Sequence, residues 1–162
     1  MKRPAAALGS AVFFAVVPGT VSGLVPWWLT GWQVKLHWWP PLRVLGVLLI
    51  LAGLPLLVQA FVRFVVEGFG TPAPIAPPAQ LVVGGVYRYI RNPMYVSVLA
   101  VILGQMLLLG QWVLLWYAAA VLAAVFSFVK LYEEPMLRAK FGSAYGDYLR
   151  TVPGWVPRWR RR

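Results

Sequence analysis

The sequence predicts an all-α integral membrane protein with four transmembrane helices, both termini in the cytoplasm, and a C-terminal interfacial helix. Three observations lead to this fold class. Of the 162 residues, 60% are hydrophobic and only 12% are charged. The apolar residues form four long runs, and the basic residues lie mostly beside alternate ends of these runs. A soluble domain of this size could not bury so much apolar surface, so a bilayer is the expected solvent.

Four apolar runs approach or exceed the roughly 20 residues that cross the hydrocarbon core of a bilayer. They lie at about Ala5–Leu29, Leu42–Val66, Met94–Leu109 and Trp112–Tyr132. The basic start of the chain resembles a signal peptide, but the first run is long enough to span and no small-residue cleavage site follows it. We therefore expect this run to be the first helix.

Local residues predict how the four helices are connected. Pro18-Gly19 lies inside the first run and should kink the helix. Gly110-Gln111 makes a connection so short that the third and fourth helices must form an antiparallel hairpin. The segment Gly68–Gly85 contains four prolines and should be extended. We expect one membrane domain, divided into an N-terminal helix pair (1–67), a Pro-rich connector with a motif loop (68–93), the hairpin (94–132) and a cofactor-closing segment (133–162).

The distribution of basic residues predicts the orientation. The N-terminal end, the segment from Arg63 to Arg91 and the chain from Lys130 onward hold 13 of the 15 Lys and Arg residues, against two in the other connections. Basic residues favour the cytoplasmic side, so both termini should be cytoplasmic, as in a bacterial plasma membrane protein. An aromatic belt at the outer interface is then expected from Trp27, Trp28, Trp32, Trp38 and Trp39.

Composition excludes several function classes. The chain has no cysteine, which removes thiolate metal sites and cysteine nucleophiles, and the single histidine, His37, lies in an outer connection. One histidine without cysteine cannot form a metal cluster, so no metal is expected. The basic residues that give the net charge of +11 flank apolar runs instead of forming a stripe, so no nucleic-acid partner is expected. All four acids lie near cytoplasmic helix ends. A proton-coupled transporter would need an ionisable residue inside a span, which weakens that hypothesis.

Two polar clusters border the hairpin. The first runs from Gly85 to Tyr95, and the second is Glu133-Glu134-Pro135. Because the third and fourth helices are antiparallel, both clusters should meet on one side of the membrane. A single site could then contain the charged side chains of both clusters, which are Arg88, Arg91, Glu133 and Glu134.

This mixture of groups suits a zwitterionic ligand with a cationic centre. Arginine offers a forked donor to a carboxylate, glutamate accepts from ammonium or hydroxyl groups, and tyrosine rings can face a sulfonium. Pro93 opens the third helix and leaves unpaired N–H groups after it. The same residues also fit a plainer interpretation, in which Arg and Tyr anchor the topology and the glutamates form solvated ion pairs.

The segment Glu133–Arg150 is expected to form the interfacial helix. Leu137, Phe141, Tyr145 and Tyr148 recur at spacings that align them on one face. Simple interfacial packing explains this pattern as well as a ligand site does.

The chain resembles the isoprenylcysteine carboxyl methyltransferase and phospholipid methyltransferase superfamily over about residues 80–157. The string Tyr87-Arg88-Tyr89-Ile90-Arg91-Asn92-Pro93-Met94-Tyr95 is similar to the Arg-His-Pro-x-Tyr signature of that family. Glu133-Glu134, followed by Leu137, Phe141-Gly142, Tyr145, Tyr148 and Val152-Pro153, is similar to its C-terminal signature. Two motifs in the right order, separated by a helical hairpin, are far more specific than either motif alone.

The resemblance implies an S-adenosylmethionine-dependent methyltransferase that releases S-adenosylhomocysteine and acts on a membrane lipid or lipophilic small molecule at the cytosolic interface. It implies catalytic roles for Arg91, Glu133 and Glu134. It implies that the cofactor is bound by residues of both motifs, which are Tyr87, Arg88, Asn92, Pro93, Tyr95, Leu137, Phe141, Tyr145 and Tyr148. A prenylated cysteine carboxylate, a phospholipid amine and a small lipophilic thiol all remain open as acceptors, with Glu133 or Glu134 as the base for a protonated one.

Two residues depart from the family pattern. Asn92 stands where the family usually has histidine, which removes an ionisable ring but keeps hydrogen bonding, and Ser97 replaces a common glycine. The competing hypothesis is a non-catalytic membrane scaffold that docks on anionic lipid through Arg158, Arg160, Arg161 and Arg162.

Overall fold

The computed structural model describes residues 9, 12–13, 15–37, 39–68 and 78–157, and this part of the chain is helical without a strand. Helix α1 comprises described residues 15–30, with a π-helical section at Thr20–Leu24 and an α-helical end at Val25–Thr30. The other helices are α2 (Pro40–Gly68), α3 (Pro93–Leu109), α4 (Val113–Phe128) and α5 (Glu134–Thr151). A 3₁₀ turn, Gly85–Arg88, precedes α3, and a π-helical turn, Val129–Glu133, joins α4 to α5.

Two of these helices are long and apolar enough to cross a membrane. They are Pro40–Glu67, a helix of 28 residues whose most apolar 18-residue window has a mean hydropathy of 2.5, and the 39-residue helical stretch Val113–Thr151, whose most apolar window has a mean hydropathy of 2.0. Helix α3 is equally apolar in character but has only 17 residues. The all-helical fold class is confirmed for the described residues, while the number of spans and the orientation stay predictions.

The predicted ends of α3 agree closely with the structure. Pro93 occupies the first turn, where its missing N–H has no helical partner to lose. At the other end, Gly110 has a positive φ of 63°, and its N–H bonds to the carbonyl of Met106. This left-handed ending turns the chain at once into α4, as Gly110-Gln111 predicted.

Helices α2 and α3 approach each other backbone to backbone. A Cβ added to Gly46 would lie 2.7 Å from the carbonyl oxygen of Gly104, and one added to Gly104 would lie equally close to the oxygen of Gly46. About two helical turns after Gly46, Gly53 lies against the backbone of Ser97. Ser97 is fully buried, and its hydroxyl donates a hydrogen bond to the Pro93 carbonyl. Gly53 therefore permits a close approach to the backbone of α3 at Ser97.

Helix α1 is attached to the hairpin through carbonyls that Pro26 leaves free. Pro26 has no N–H, so it cannot donate a helical hydrogen bond to the carbonyl of Ser22, four residues earlier, or to that of Val21, five residues earlier. Instead, the Gln105 side-chain amide donates to the Ser22 carbonyl at 2.7 Å, and the Tyr117 hydroxyl donates to the Val21 carbonyl at 2.8 Å. Side chains of neighbouring helices thus provide the hydrogen bonds that these two carbonyls of α1 lack within their own helix. The kink expected at Pro18-Gly19 stays a prediction; the π-helical section Thr20–Leu24 begins directly after it.

The C-terminal helix differs from the continuous one that the sequence predicted. Gly142 has φ 53° and ψ −125°, so it breaks α5 into two parts. Glycine permits this backbone because it has no Cβ to clash. Several predictions lie outside the described residues: the start of the first run, Trp38 of the aromatic belt, most of the Pro-rich connector, and the basic tail from Arg158 to Arg162.

Candidate active site

The two polar clusters meet at one end of the hairpin, here named the motif end, where Arg91 and Glu134 lie. The Arg91 guanidinium is 3.1 Å from Glu134 Oε1, and both side chains are largely buried. Lys130 Nζ lies 3.0 Å from each oxygen of the same carboxylate. One buried carboxylate therefore accepts from two cations that belong to different elements. Such a charge-assisted network fixes the relative position of the two motifs more firmly than a single neutral bond would.

A third segment completes the motif end. The C-terminal strap (residues 152–155) runs beside the start of α3, and the backbone N–H groups of Arg91 and Asn92 donate to its Pro153 and Gly154 carbonyls at 2.9 and 3.2 Å. The Arg91 Nε also donates to the Val152 carbonyl at 3.0 Å. A Cβ at Gly154 would lie 3.1 Å from Arg91 Nη2, so glycine leaves room for the guanidinium. Arg91 is held from three sides, and its direction is fixed.

Glu133 has surroundings different from those of Glu134. The Tyr95 hydroxyl donates to Glu133 Oε2 at 3.1 Å, and the described residues provide no ion pair for this carboxylate. Burial raises the pKa of Glu133, which lies beyond the apolar run of α4; the Tyr95 hydrogen bond opposes this shift, and the negative charge of Glu134 adds to it. The Trp155 ring stacks at 6.3 Å from the Tyr95 ring and covers this pair. Glu133 is thus the carboxylate with spare proton-accepting capacity.

Tyr87 joins the first motif to α5. Its carbonyl accepts a hydrogen bond of 2.8 Å from the Tyr148 hydroxyl, and its side chain is buried. Burial is the largest cause that raises the pKa of the Tyr87 hydroxyl well above its ordinary value, followed by the nearby Tyr148. The hydroxyl consequently stays protonated and can donate a hydrogen bond, and the side chain remains neutral.

The aromatic face predicted on the C-terminal helix forms a separate small core. Tyr145, Tyr148 and Val152 are buried there, with Leu137 and Phe141 packed against them. These side chains pack on one face despite the break at Gly142. They support the strap and the motif loop from behind.

An apolar cavity of about 140 Å³ opens beside the motif end. Its wall contains residues of α1, α2, α3 and α4, while its polar groups are confined to the motif end. The apolar lining includes Phe13, Val17, Val21, Phe61, Phe64, Val98, Val121 and Val125, and the polar lining consists of Tyr87, Arg91, Asn92, Tyr95 and Glu133. An apolar chamber with a few convergent polar groups at one end is the usual form of a ligand site.

The structure distributes the candidate residues over three positions. Tyr87, Arg91, Asn92, Pro93, Tyr95 and Glu133 line the cavity. Glu134 lies behind Arg91, and Leu137, Phe141, Tyr145 and Tyr148 form the core behind the strap. Arg88 is exposed at the end of the 3₁₀ turn and lines no part of the cavity.

Sequence reasoning missed two contributors to the site. Lys130 was counted only as a topology charge, although its spacing of four residues before Glu134 on a helix signals an ion pair. The strap was noticed only as a family match at Val152-Pro153. Its contacts use backbone carbonyls, which carry no signal in the side-chain sequence.

Comparisons with known proteins identify the family of this chain. The family model for phospholipid methyltransferase matches residues 42–144, which is more than half of the chain. The chain belongs to the phospholipid methyltransferase family. It is also 38% identical over 77 residues to a protein-S-isoprenylcysteine O-methyltransferase of Schizosaccharomyces pombe (strain 972 / ATCC 24843). That match covers 48% of this chain and 33% of the relative, so the chain spans about a third of the relative's length.

The residues at the motif end fit the methyl donor that the family implies. S-adenosylmethionine has carboxylate, ammonium, hydroxyl and sulfonium groups. Arg91 supplies a buried guanidinium, Glu133 a carboxylate that accepts from the Tyr95 hydroxyl, and Tyr87 and Tyr95 aromatic rings for a cationic sulfur. The enclosed volume of about 140 Å³ is below the ~300–1,000 Å³ of sites for drug-sized ligands.

Proposed function

We propose that this chain is an integral membrane methyltransferase that uses S-adenosylmethionine and modifies a lipophilic acceptor at the cytosolic interface. The acceptor is an isoprenylcysteine-like carboxylate, a phospholipid amine or a small lipophilic thiol. We also propose four membrane helices with both termini inside, because the basic residues favour that orientation. The observation that carries the proposal is an apolar cavity whose only polar end is formed by both motifs.

The chain's own residues divide the work of such a reaction. S-adenosylmethionine, when bound, supplies an activated methyl group. Tyr87, Asn92, Tyr95 and Glu133 would hold it at the polar end, and the apolar wall would exclude water and admit an acceptor from the bilayer.

The two glutamates receive different roles in this proposal. Glu134 already accepts from Arg91 and Lys130, so it positions Arg91. Glu133 lines the cavity, and among the described residues its one hydrogen-bond partner is the Tyr95 hydroxyl, so it is the base for an acceptor that arrives protonated. Arg91 lines the cavity, so its guanidinium would bind a carboxylate of the cofactor or of the acceptor.

Transfer of a labelled methyl group tests the proposal. Purified protein is incubated with methyl-labelled S-adenosylmethionine and a total lipid extract, and the labelled product is identified. Glu133→Gln keeps an oxygen for Tyr95 but cannot accept a proton, so transfer to a protonated acceptor should fall by about 100-fold or more. Asp147→Asn, at an exposed acid of α5, is the matched control and should transfer normally. Absence of any labelled lipophilic product from folded protein contradicts the proposal.

A further inference from the structure

Glu67, a partly buried acid near the end of α2, forms a hydrogen bond with the residue that precedes the 3₁₀ turn of the first motif. Its Oε2 accepts the Gly84 backbone N–H at 2.8 Å, and its Oε1 accepts from Arg63 at 3.1 Å. Gly84 immediately precedes the 3₁₀ turn that carries Tyr87 into the cavity wall. The contact therefore joins the end of α2 to the beginning of the motif loop, across a separation of 17 residues.

The local backbone is shaped for this contact. A Cβ on Gly84 would lie only 2.0 Å from Glu67 Oε1, so any side chain there would displace the carboxylate. Gly85 has a positive φ of 55°, and a Cβ on it would lie 2.6 Å from Arg63 Nε. Two consecutive glycines thus leave space for an Arg63–Glu67 pair against the backbone, and the second also permits the left-handed turn.

Electrostatics alone would not favour an acid at this position. Glu67 lies in the last turn of α2, where the unpaired carbonyls give the helix end a partial negative charge. Its charge is offset by Arg63 and by the Gly84 N–H. The turn that follows packs on α2 through buried Val86, Tyr87 and Ile90. The same loop is tied on its other side by the Tyr148 hydroxyl, so it is held between two helices.

We propose that Glu67 is a positioning residue for the methyl-donor site, acting through Gly84 to hold Tyr87 and the following Arg91-Asn92 at the cavity. This inference rests on the proposed function. Without the carboxylate, the loop keeps its apolar packing but loses the bond that fixes its start. The free energy of cofactor binding should then decrease by more than the free energy of unfolding.

A double-mutant cycle with labelled S-adenosylhomocysteine as the probe tests this role. Equilibrium dialysis of the full chain in detergent should give about tenfold weaker binding for Glu67→Ala, the effect of losing one charge-assisted hydrogen bond. Glu67→Gln keeps an acceptor for Gly84 and should stay within about threefold of the unmodified protein. Gly84→Ala should weaken binding like Glu67→Ala, yet add less than about twofold in the Glu67→Ala background, because the displaced carboxylate is already absent.

Hydrogen exchange and thermal unfolding separate positioning from general damage. Amides of residues 84–89 should exchange faster in Glu67→Ala, while those of α3 and α4 keep their rates. Asp147→Ala is the control and should bind and exchange like the unmodified protein. Unchanged binding in Glu67→Ala, or losses that multiply in the double variant, overturn the inference alone. No binding to the folded unmodified protein overturns the proposed function and this inference with it.

Discussion

The motif end and the π-helical section of α1 are both held to neighbouring helices by side-chain hydrogen bonds, but the groups that form these bonds differ. At the motif end, Glu134 accepts from two cations, and the contacts join α3, α4, α5 and the strap. At α1, Gln105 and Tyr117 satisfy two backbone carbonyls with neutral groups only. Neutral donors suit a position between apolar helices, where an ionised group would lose much of its hydration. The buried ionised groups lie instead at the motif end, where the proposed methyl donor would bind.

Because of this difference, we expect variants in the two regions to affect methyl-donor affinity and stability differently. Disturbing the motif end should change affinity for the methyl donor as well as stability. Disturbing the attachment of α1 should change stability without affecting the donor groups. Both regions border the same cavity, since Val21 and the motif residues all line it, so the two effects can be measured in one protein.

The largest effect is expected for Glu134→Ala. Removing the shared carboxylate leaves the mostly buried Arg91 without its counter-charge, which costs about 3–5 kcal/mol of unfolding free energy. Unfolding in mixed micelles measures this loss, and dialysis with S-adenosylhomocysteine should show that binding is lost together with it. A variant that unfolds normally and binds normally would mean that the network does not position Arg91.

A smaller effect is expected for Tyr117→Phe. The ring remains, but the Val21 carbonyl loses its donor inside the bundle, which costs about 1–3 kcal/mol. Affinity for S-adenosylhomocysteine should be unchanged. Tyr132→Phe, at an exposed position beyond α4, is the matched control and should alter neither property. Weakened donor binding in Tyr117→Phe would contradict the separation of the two regions.

The smallest effect is expected for Asp147→Asn. Asp147 and Arg150 form an ion pair one turn apart on α5, and both side chains are exposed. Exposed pairs contribute less than about 1 kcal/mol because water screens them. Melting temperature and binding should both match the unmodified protein. A large loss would show that charge anywhere on α5 matters, and not only the buried network.

The sequence predicts the helices well where apolar runs and turn residues agree. Pro93 and Gly110 set the ends of α3 almost to the residue, because proline and a left-handed glycine act locally. The break at Gly142 could not be foreseen, since glycine is tolerated within helices as well as between them. The attachment of α1 also had no sequence signal, because it pairs side chains with backbone carbonyls about 80 to 100 residues away.

The candidate site was predictable in its position and less so in its roles. The hairpin argument correctly brings the arginine-tyrosine loop and the glutamate pair together, as the Arg91–Glu134 and Tyr95–Glu133 contacts show. It could not tell the two adjacent glutamates apart. Consecutive residues on a helix point in directions about 100° apart, so one faces Lys130 and Arg91 while the other faces the cavity.

Calorimetric titration of the detergent-purified chain with S-adenosylhomocysteine tests the central claim most directly. A single cofactor site formed by both motifs predicts saturable binding to the unmodified protein, with binding lost in Arg91→Ala and in Glu134→Ala alike. Folded protein that gives no binding heat at several temperatures, or that binds equally well without these two side chains, would contradict the account.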